Sequence, residues 1–329
     1  MAWIDCHSEV RAQRIDSTGA VLWAHDGVPV CTLTSSKNFS RLASDGVGGA
    51  IVVWADERHG PPQIYAQHLG SSGKLLWVAE GLRIHPTWGR QECAQVIPDG
   101  EGGVVITWQD GPDVRAQRVD GSGISRWGDD GVEVCGANYK QRIAVAENRM
   151  LLPEIVPDGS SGVFIAWQDF RTGTADIYAQ RVDGSGVPLW YSNGVPVCTD
   201  PGTQTFDPRP SSPNVVFDGD SGVLVAWMDD RDSSPSSIDW NIYAQRVDAS
   251  GARSWRADGI AVCAGAGQQC APRLISDGAQ GAIVAWEDHR EVGWNSRIYA
   301  QHLSASGAPH WGTDGCASAV QACSNWTQA

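Results

Sequence analysis

The sequence lacks any apolar run approaching the ~18 residues of a membrane-spanning helix; its longest runs are short, such as Gly222-Val-Leu-Val-Ala-Trp227. No insertion into a membrane is therefore expected. It also lacks a basic surplus, with 24 Lys and Arg against 38 Asp and Glu and a net charge of −14. Phosphate binding needs a basic face, so neither nucleic acid nor an anionic membrane surface is expected as a partner. No stretch keeps a helical period, and there is no Gly-x-Ser-x-Gly elbow, phosphate loop or dinucleotide fingerprint. The opening Met1-Ala-Trp-Ile-Asp lacks the basic and apolar regions of a signal peptide, so a cytosolic start or a trimmed end is expected. Tyr (6) and Phe (5) are scarce, whereas Trp (16) is abundant and needs a structural reason. With 42% apolar and 19% charged residues, the 329-residue chain can bury a core.

The reason is a repeat. Ile-Tyr-Ala-Gln recurs at 64–67, 177–180, 242–245 and 298–301, and Val-Arg-Ala-Gln stands at 10–13 and 114–117. These six copies are spaced by 54, 50, 63, 65 and 56 residues. Each lies in a longer unit: Asp-Gly-x-Gly-Gly, an apolar run ending in Trp-x-Asp, a variable loop, Ile-Tyr-Ala-Gln-Arg-Val-Asp, a Ser-Gly turn, then Trp-x-x-Asp-Gly-x-x-Val-Cys. Runs of β-branched and aromatic residues bounded by Gly, Asp and Ser read as strands. The unit divides into strand A before the Asp-Gly turn, B into the first Trp, C over Ile-Tyr-Ala-Gln, and D carrying the second Trp. Four short strands repeated six times predict an all-β, six-bladed β-propeller over 1–329 as one domain, with four-stranded antiparallel blades. The N-terminal segment supplies the end of B with C and D, so one blade is a composite of the N- and C-terminal segments and is short of a full set of strands. Trp3, Trp54, Trp108, Trp167, Trp227 and Trp286 end strand B, and all are expected to pack between blades.

The unit resembles the Ile-Tyr-Ala-Gln-Arg-Val-Asp repeats of secreted bacterial β-propeller proteins, over nearly the whole chain. That resemblance implies an extracellular or periplasmic bacterial protein and supplies no catalytic residue. The stretch Asp120-Gly-Ser-Gly-Ile-Ser-Arg-Trp127 resembles the Asp-box of sialidase-like propellers, but its spacing is longer, so no glycosidase activity is carried over.

In a propeller, the A–B and C–D turns share one face and the B–C loops and D–A crossovers share the other. The turns are nearly uniform here, whereas the B-to-C distance varies over 7, 10, 6, 10, 15 and 12 residues. Function is expected on the variable face. Trp88, Trp240, Trp294 and Trp326 fall there as candidate stacking platforms, with Tyr139, Arg142 and Arg209 as polar ligand contacts and Glu154 and Asp207 as candidate carboxylates. The Trp-x-Asp motif, followed by Arg at 58, 171, 231 and 290, recurs too regularly to be catalytic and reads as structural. His7, His59 and His289 break the repeat. In a closed ring their copies would be neighbours, making them candidates for catalysis and for a divalent metal, zinc or calcium. His7 stands where other copies have Arg, and His85 where they have Cys.

Nine cysteines cannot all pair. Cys31, Cys135, Cys198 and Cys263 occupy one repeat position and read as small buried packing groups, while Cys263–Cys270 and Cys316–Cys323 are candidate local bridges. The favoured reading is a monomeric extracytoplasmic module that binds a small molecule, glycan or peptide. The alternatives are a metal-assisted hydrolase of an ester, phosphoester or glycoside, and a structural segment of a larger surface protein.

Overall fold

The computed structural model describes residues 1–86, 89–136, 153–206, 214–233, 239–290 and 296–321. Among these residues the regular elements are all strands, and no helix is long and apolar enough to cross a membrane. The strands form six sheets. The first contains β1 (Ala2–Ile4), β2 (Val10–Ala12) and β3 (Val28–Cys31). The second contains β4 (Lys37–Ser44), β5 (Ala50–Asp56), β6 (Gln63–Leu69) and β7 (Leu82–Arg83). The third contains β8 (Gln91–Pro98), β9 (Val104–Asp110), β10 (Asp113–Val119) and β11 (Val132–Cys135). The fourth contains β12 (Glu154–Pro157), β13 (Val163–Asp169), β14 (Asp176–Val182) and β15 (Val195–Cys198). In the fifth, β16 (Gln204–Thr205) and β17 (Val215–Phe217) both pair with β18 (Val223–Asp229), followed by β19 (Asn241–Val247) and β20 (Ile260–Cys263). The sixth contains β21 (Gln269–Ser276), β22 (Ala282–Asp288), β23 (Arg297–Leu303) and β24 (Cys316–Gln321).

The strands fall into two compact units. One holds the described residues through Gly136, those from 153 to Ile165, and Val182–Asn193; the other holds Ala166–Arg181 and the described residues from Gly194 onward. In each, successive strands meander antiparallel, as in the run Trp54↔Tyr65, Val53↔Ala66, Val52↔Gln67 and the equivalent Trp227↔Tyr243, Ala226↔Ala244. Strands β5, β6 and β13 are buried along their whole length. A strand covered on both faces loses the alternating pattern, which is why these stretches read as continuous apolar runs. In the first unit, Ile51, Val53 and Ile64 of the second sheet interleave with Ile106 and Trp108 of the third. In the second unit, Leu224 and Ala226 pack with Val262, Val284 and Trp286. Each fully buried aliphatic side chain contributes roughly 1.5–3 kcal/mol, so the sheets are held together face to face.

The A–B turns are built alike. Asp45 Oδ1 accepts the backbone N–H groups of Val47 and Gly49 at 2.9 and 2.8 Å, and Asp277 does the same for Ala279 and Gly281. This Asx arrangement explains the recurring Asp-Gly.

Strand D differs from its expected position. The second Trp of each unit is not in a strand: Trp255 lies in the connection after β19, and the fourth strand is the Val-Cys segment, Ile260–Cys263. The invariant Gln fixes this connection. Gln245 Oε1 accepts the Trp255 N–H at 3.0 Å and its Nε2 donates to Arg256 O at 2.6 Å. The indole N–H then reaches the next sheet, from Trp255 to Ala305 O at 2.9 Å and, in the first unit, from Trp23 to Ser71 O at 3.0 Å.

Candidate functional site: the loop ends of the sheets

At the loop end, each of four sheets closes on one buried carboxylate. Asp56 accepts the indole N–H of Trp54 at 3.1 Å, the backbone N–H of Arg58 at 2.9 Å and the Arg58 guanidinium at 2.6 Å. The guanidinium lies 3.9 Å over the Tyr65 ring and donates to Cys31 Sγ at 3.3 Å. Asp229 with Trp227, Arg231, Tyr243 and Cys198 repeats the arrangement, as does Asp288 with Trp286, Arg290, Tyr299 and Cys263. Asp169 takes Trp167 and Arg171 in the same way. Burial alone would raise these carboxyls; the hydrogen bonds from Arg and Trp outweigh it and hold Asp56, Asp169 and Asp288 below the usual carboxylate range. The motif is a structural clasp, and in three of the four the Cys (Cys31, Cys198 or Cys263) comes from the last strand of the preceding sheet.

Two sheets lack the loop Arg, and there the Tyr of Ile-Tyr-Ala-Gln is itself replaced by Arg. Arg11 reaches Asp5 at 3.1 Å and Arg115 reaches Asp110 at 3.2 Å. The guanidinium is thus supplied from the strand. His7, which occupies the position of the missing Arg, is exposed: its backbone N–H donates to Asp5 Oδ1 at 2.8 Å and its ring lies 3.5 Å from Cys6 Sγ. His85 fills the Cys position and packs edge-on against Trp108, with ring centroids 5.6 Å apart. Burial pulls His85 below its usual pKa and pushes the neighbouring Asp110 up.

His59 is exposed in its loop, and Glu154 opens β12. Trp240 is half-buried, its backbone clamped by Gln269 N–H donating to Trp240 O at 2.8 Å. Trp88, Trp294, Trp326, Tyr139, Arg142, Asp207 and Arg209 lie outside the described residues. His289 belongs to a group with Cys270 and Glu287, whose donor atoms lie within 4.8 Å of one another; neither His7 nor His59 is in it. The Cys263–Cys270 bridge does not form, both residues being free thiols, and Cys323 of the Cys316–Cys323 pair lies outside the described residues. Cys263 is turned under Arg290 and Cys270 toward Glu287 and His289, so the two point at different partners. Cys31, Cys135, Cys198 and Cys263 are buried, as expected for that repeat position.

An open groove lies in the second unit, built from residues far apart in the sequence. It has a volume of about 920 Å³ and is lined by Asp200, Arg231, Tyr243, Trp255, Asp258 and Pro309, among others. The Arg231 guanidinium lies 3.5 Å from Asp200. Beside it, the exposed Asp232 accepts hydrogen bonds from Tyr243 Oη at 2.9 Å and Asn241 Nδ2 at 3.1 Å. Burial raises Asp200, with Arg231 opposing the rise. On β14, burial pushes Asp176 up to about 6 although Thr172 Oγ1 donates to it at 2.6 Å.

No protein-family model matches the chain, and no curated protein matches it. Among solved structures, it is similar to an ulvan lyase of polysaccharide lyase family PL25, bound to -[GlcA(1-4)Rha3S]-. The two are 9% identical with a TM-score of 0.58, over 93% of this chain and 77% of that one. The polysaccharide lyase Uly1 aligns at 13% identity and TM-score 0.48, over 94% and 85% of the two chains. An endo-1,4-β-xylanase of Bacteroides thetaiotaomicron aligns at 9% identity and TM-score 0.34, over 84% and 95%. At such identity the likeness to the ulvan lyase is one of fold: an all-β chain of repeated four-stranded antiparallel sheets.

Proposed function

We propose that the chain is a six-bladed β-propeller, with one blade shared by its two terminal segments, that works outside the cytoplasm as a monomeric glycan-binding module. The observation that carries this reading is the groove lined by Tyr243, Trp255 and Pro309 together with Asp200, Arg231 and Asp258. Its volume of about 920 Å³ is at the upper end of ordinary ligand sites, which run to roughly 1,000 Å³. Apolar and aromatic surface beside carboxylates suits sugar rings, whose hydroxyls donate to carboxylates while their C–H faces stack. The fold shared with a lyase that holds an oligosaccharide is consistent with that use. The ligand is a neutral glycan, because a chain of net charge −14 repels polyanions. The extracytoplasmic location rests on the resemblance to secreted repeat proteins.

The test is affinity electrophoresis in gels containing neutral or uronate-rich polysaccharides, comparing the wild type with Ala257→Trp and Trp240→Ala. Ala257 is exposed and lines the groove, so the larger side chain fills it without removing a bond. Retardation by a neutral polysaccharide that Ala257→Trp lowers at least about tenfold is the expected result. Retardation lost only in Trp240→Ala would move the site to the loop platform, and retardation by uronate alone would contradict the charge argument.

A further inference from the structure

We infer that Cys270, Glu287 and His289 form a site for a divalent ion of the zinc class, a reading independent of the glycan proposal. The three donors come from two adjacent strands. Cys270 on β21 sits directly opposite Glu287 on β22, and His289 follows β22 by one residue. Cys270 Sγ lies 3.8 Å from Glu287 Oε2 and 3.8 Å from His289 Nε2. With zinc bonds of about 2.3 Å to sulfur and about 2.0–2.1 Å to nitrogen or oxygen, the edges of a tetrahedron are about 3.5 Å. The two edges from sulfur are within a few tenths of an ångström of that value, and the donors of Glu287 and His289 lie within 4.8 Å of each other, so side-chain adjustment completes the geometry.

The backbone holds the trio in place. His289 N–H donates to Gln268 O at 2.9 Å, tying the His289 main chain to the residue just before β21. A bulge follows Cys270, where Ala271 takes the left-handed φ of 56°; the same bulge follows Glu92 in the third sheet, with Cys93 at φ 55°, so this backbone belongs to the repeat and only the donors are particular to this sheet.

The trio is also a departure from the repeat. The cross-strand pair equivalent to Cys270–Glu287 is Asn38–Ala55 in the second sheet, Glu92–Gln109 in the third and Thr205–Met228 in the fifth. The residue equivalent to His289 is Glu57, Gly111 or Asp230. The other sheets fold without these groups, so the scaffold does not require them. Among the described residues this is the one group of three or more such donors.

Chemistry narrows the occupant. A thiolate next to a carboxylate is disfavoured by like-charge repulsion unless a cation lies between them. The carboxylate faces the sulfur at 3.8 Å, which suits a shared cation better than a Cys–His nucleophile, whose third group orients the imidazole. Sulfur with imidazole selects a borderline ion over calcium, which takes six to eight oxygens. Three protein donors leave a fourth tetrahedral position for water or a ligand atom, the arrangement of reactive rather than purely structural zinc.

The full chain, purified without a histidine tag and stripped with chelator, is titrated with Zn²⁺ and separately with Co²⁺. One ion per chain is expected, with a cobalt–thiolate charge-transfer band. Cys270→Ala and His289→Ala should each weaken binding by more than about tenfold, since loss of even an outer-shell partner costs 10–100-fold, and Cys270→Ser should lose the band. In the wild type, Zn²⁺ should protect Cys270 from alkylation, read on its peptide by mass spectrometry, which keeps the test valid if a variant misfolds. Stoichiometric binding unchanged in both alanine variants, absence of Zn²⁺ binding by the wild type, or alkylation of Cys270 indifferent to Zn²⁺ would overturn the site.

Discussion

At the scale of single residues, the buried aspartates divide by the direction of their shift. Asp176 is raised to about 6, with burial as the leading cause, so its ionised form disfavours the fold. An acid whose folded pKa lies above its unfolded value destabilises at pH above the folded value, and the cost fades as pH falls toward the unfolded one. Asp176→Asn is therefore expected to stabilise the protein at pH 8 by on the order of 1 kcal/mol, and to give no gain near pH 4. Urea midpoints at the two pH values measure this; an equal gain at both would show that the charge is not the cause. Gly259 makes a different demand. Its φ is +83°, and an added Cβ would sit 2.6 Å from the Trp227 ring. Gly259→Ala should cost about 3 kcal/mol, from strained backbone and overpacking together, read as a lower urea midpoint with an unchanged slope.

At this scale the sequence was partly transparent. The regularity of Trp-x-Asp-x-Arg identified a structural role, and Asp56, Asp229 and Asp288 are indeed buried clasps. What could not be read was which histidine meets which partner. His7, His59 and His289 looked alike as departures from the repeat. Their neighbours are set by strand register, and only that register brings Cys270 across from Glu287. The groove was hidden for the same reason: its walls come from residues as distant as Asp200 and Pro309.

At the scale of the element, the repeat shows how one interaction survives two sequence solutions. The guanidinium on the clasp aspartate comes from the loop where strand C carries Tyr, and from the strand itself at Arg11 and Arg115. Removing an acid from this pairing leaves a buried charge and an indole N–H unpaired. Asp288→Ala is expected to cost about 3–5 kcal/mol, measurable by denaturant unfolding, whereas a cost below about 1 kcal/mol would mean the clasp is solvated. Strands A, B and C were legible from apolar runs and turns. Strand D was displaced because its Trp, the most conspicuous residue nearby, serves the connection: Trp255 spans to the next sheet through a hydrogen bond rather than joining a ladder. Trp255→Phe keeps the ring but loses that bond, and should cost about 1 kcal/mol.

At the scale of the whole molecule, the acidic composition gains a structural meaning. Asp45, Asp56, Asp169, Asp218, Asp277 and Asp288 are all held below the usual carboxylate value. A depressed folded pKa gives stability that is present above the unfolded value of about 3.9 and lost as pH falls through the folded values. Stability against urea should thus fall steeply below pH 4. Uniform turns and clasps carry this stability in sheet after sheet, and the groove is built partly on them, through Arg231, Tyr243 and the turn at 306–309. The groove is proposed to receive a neutral glycan. Hydrogen–deuterium exchange with and without a neutral polysaccharide that retards the protein tests it most directly. Protection concentrated in residues 254–261 and 306–309 is predicted, and protection absent there but present at the loop ends of the first unit would contradict it.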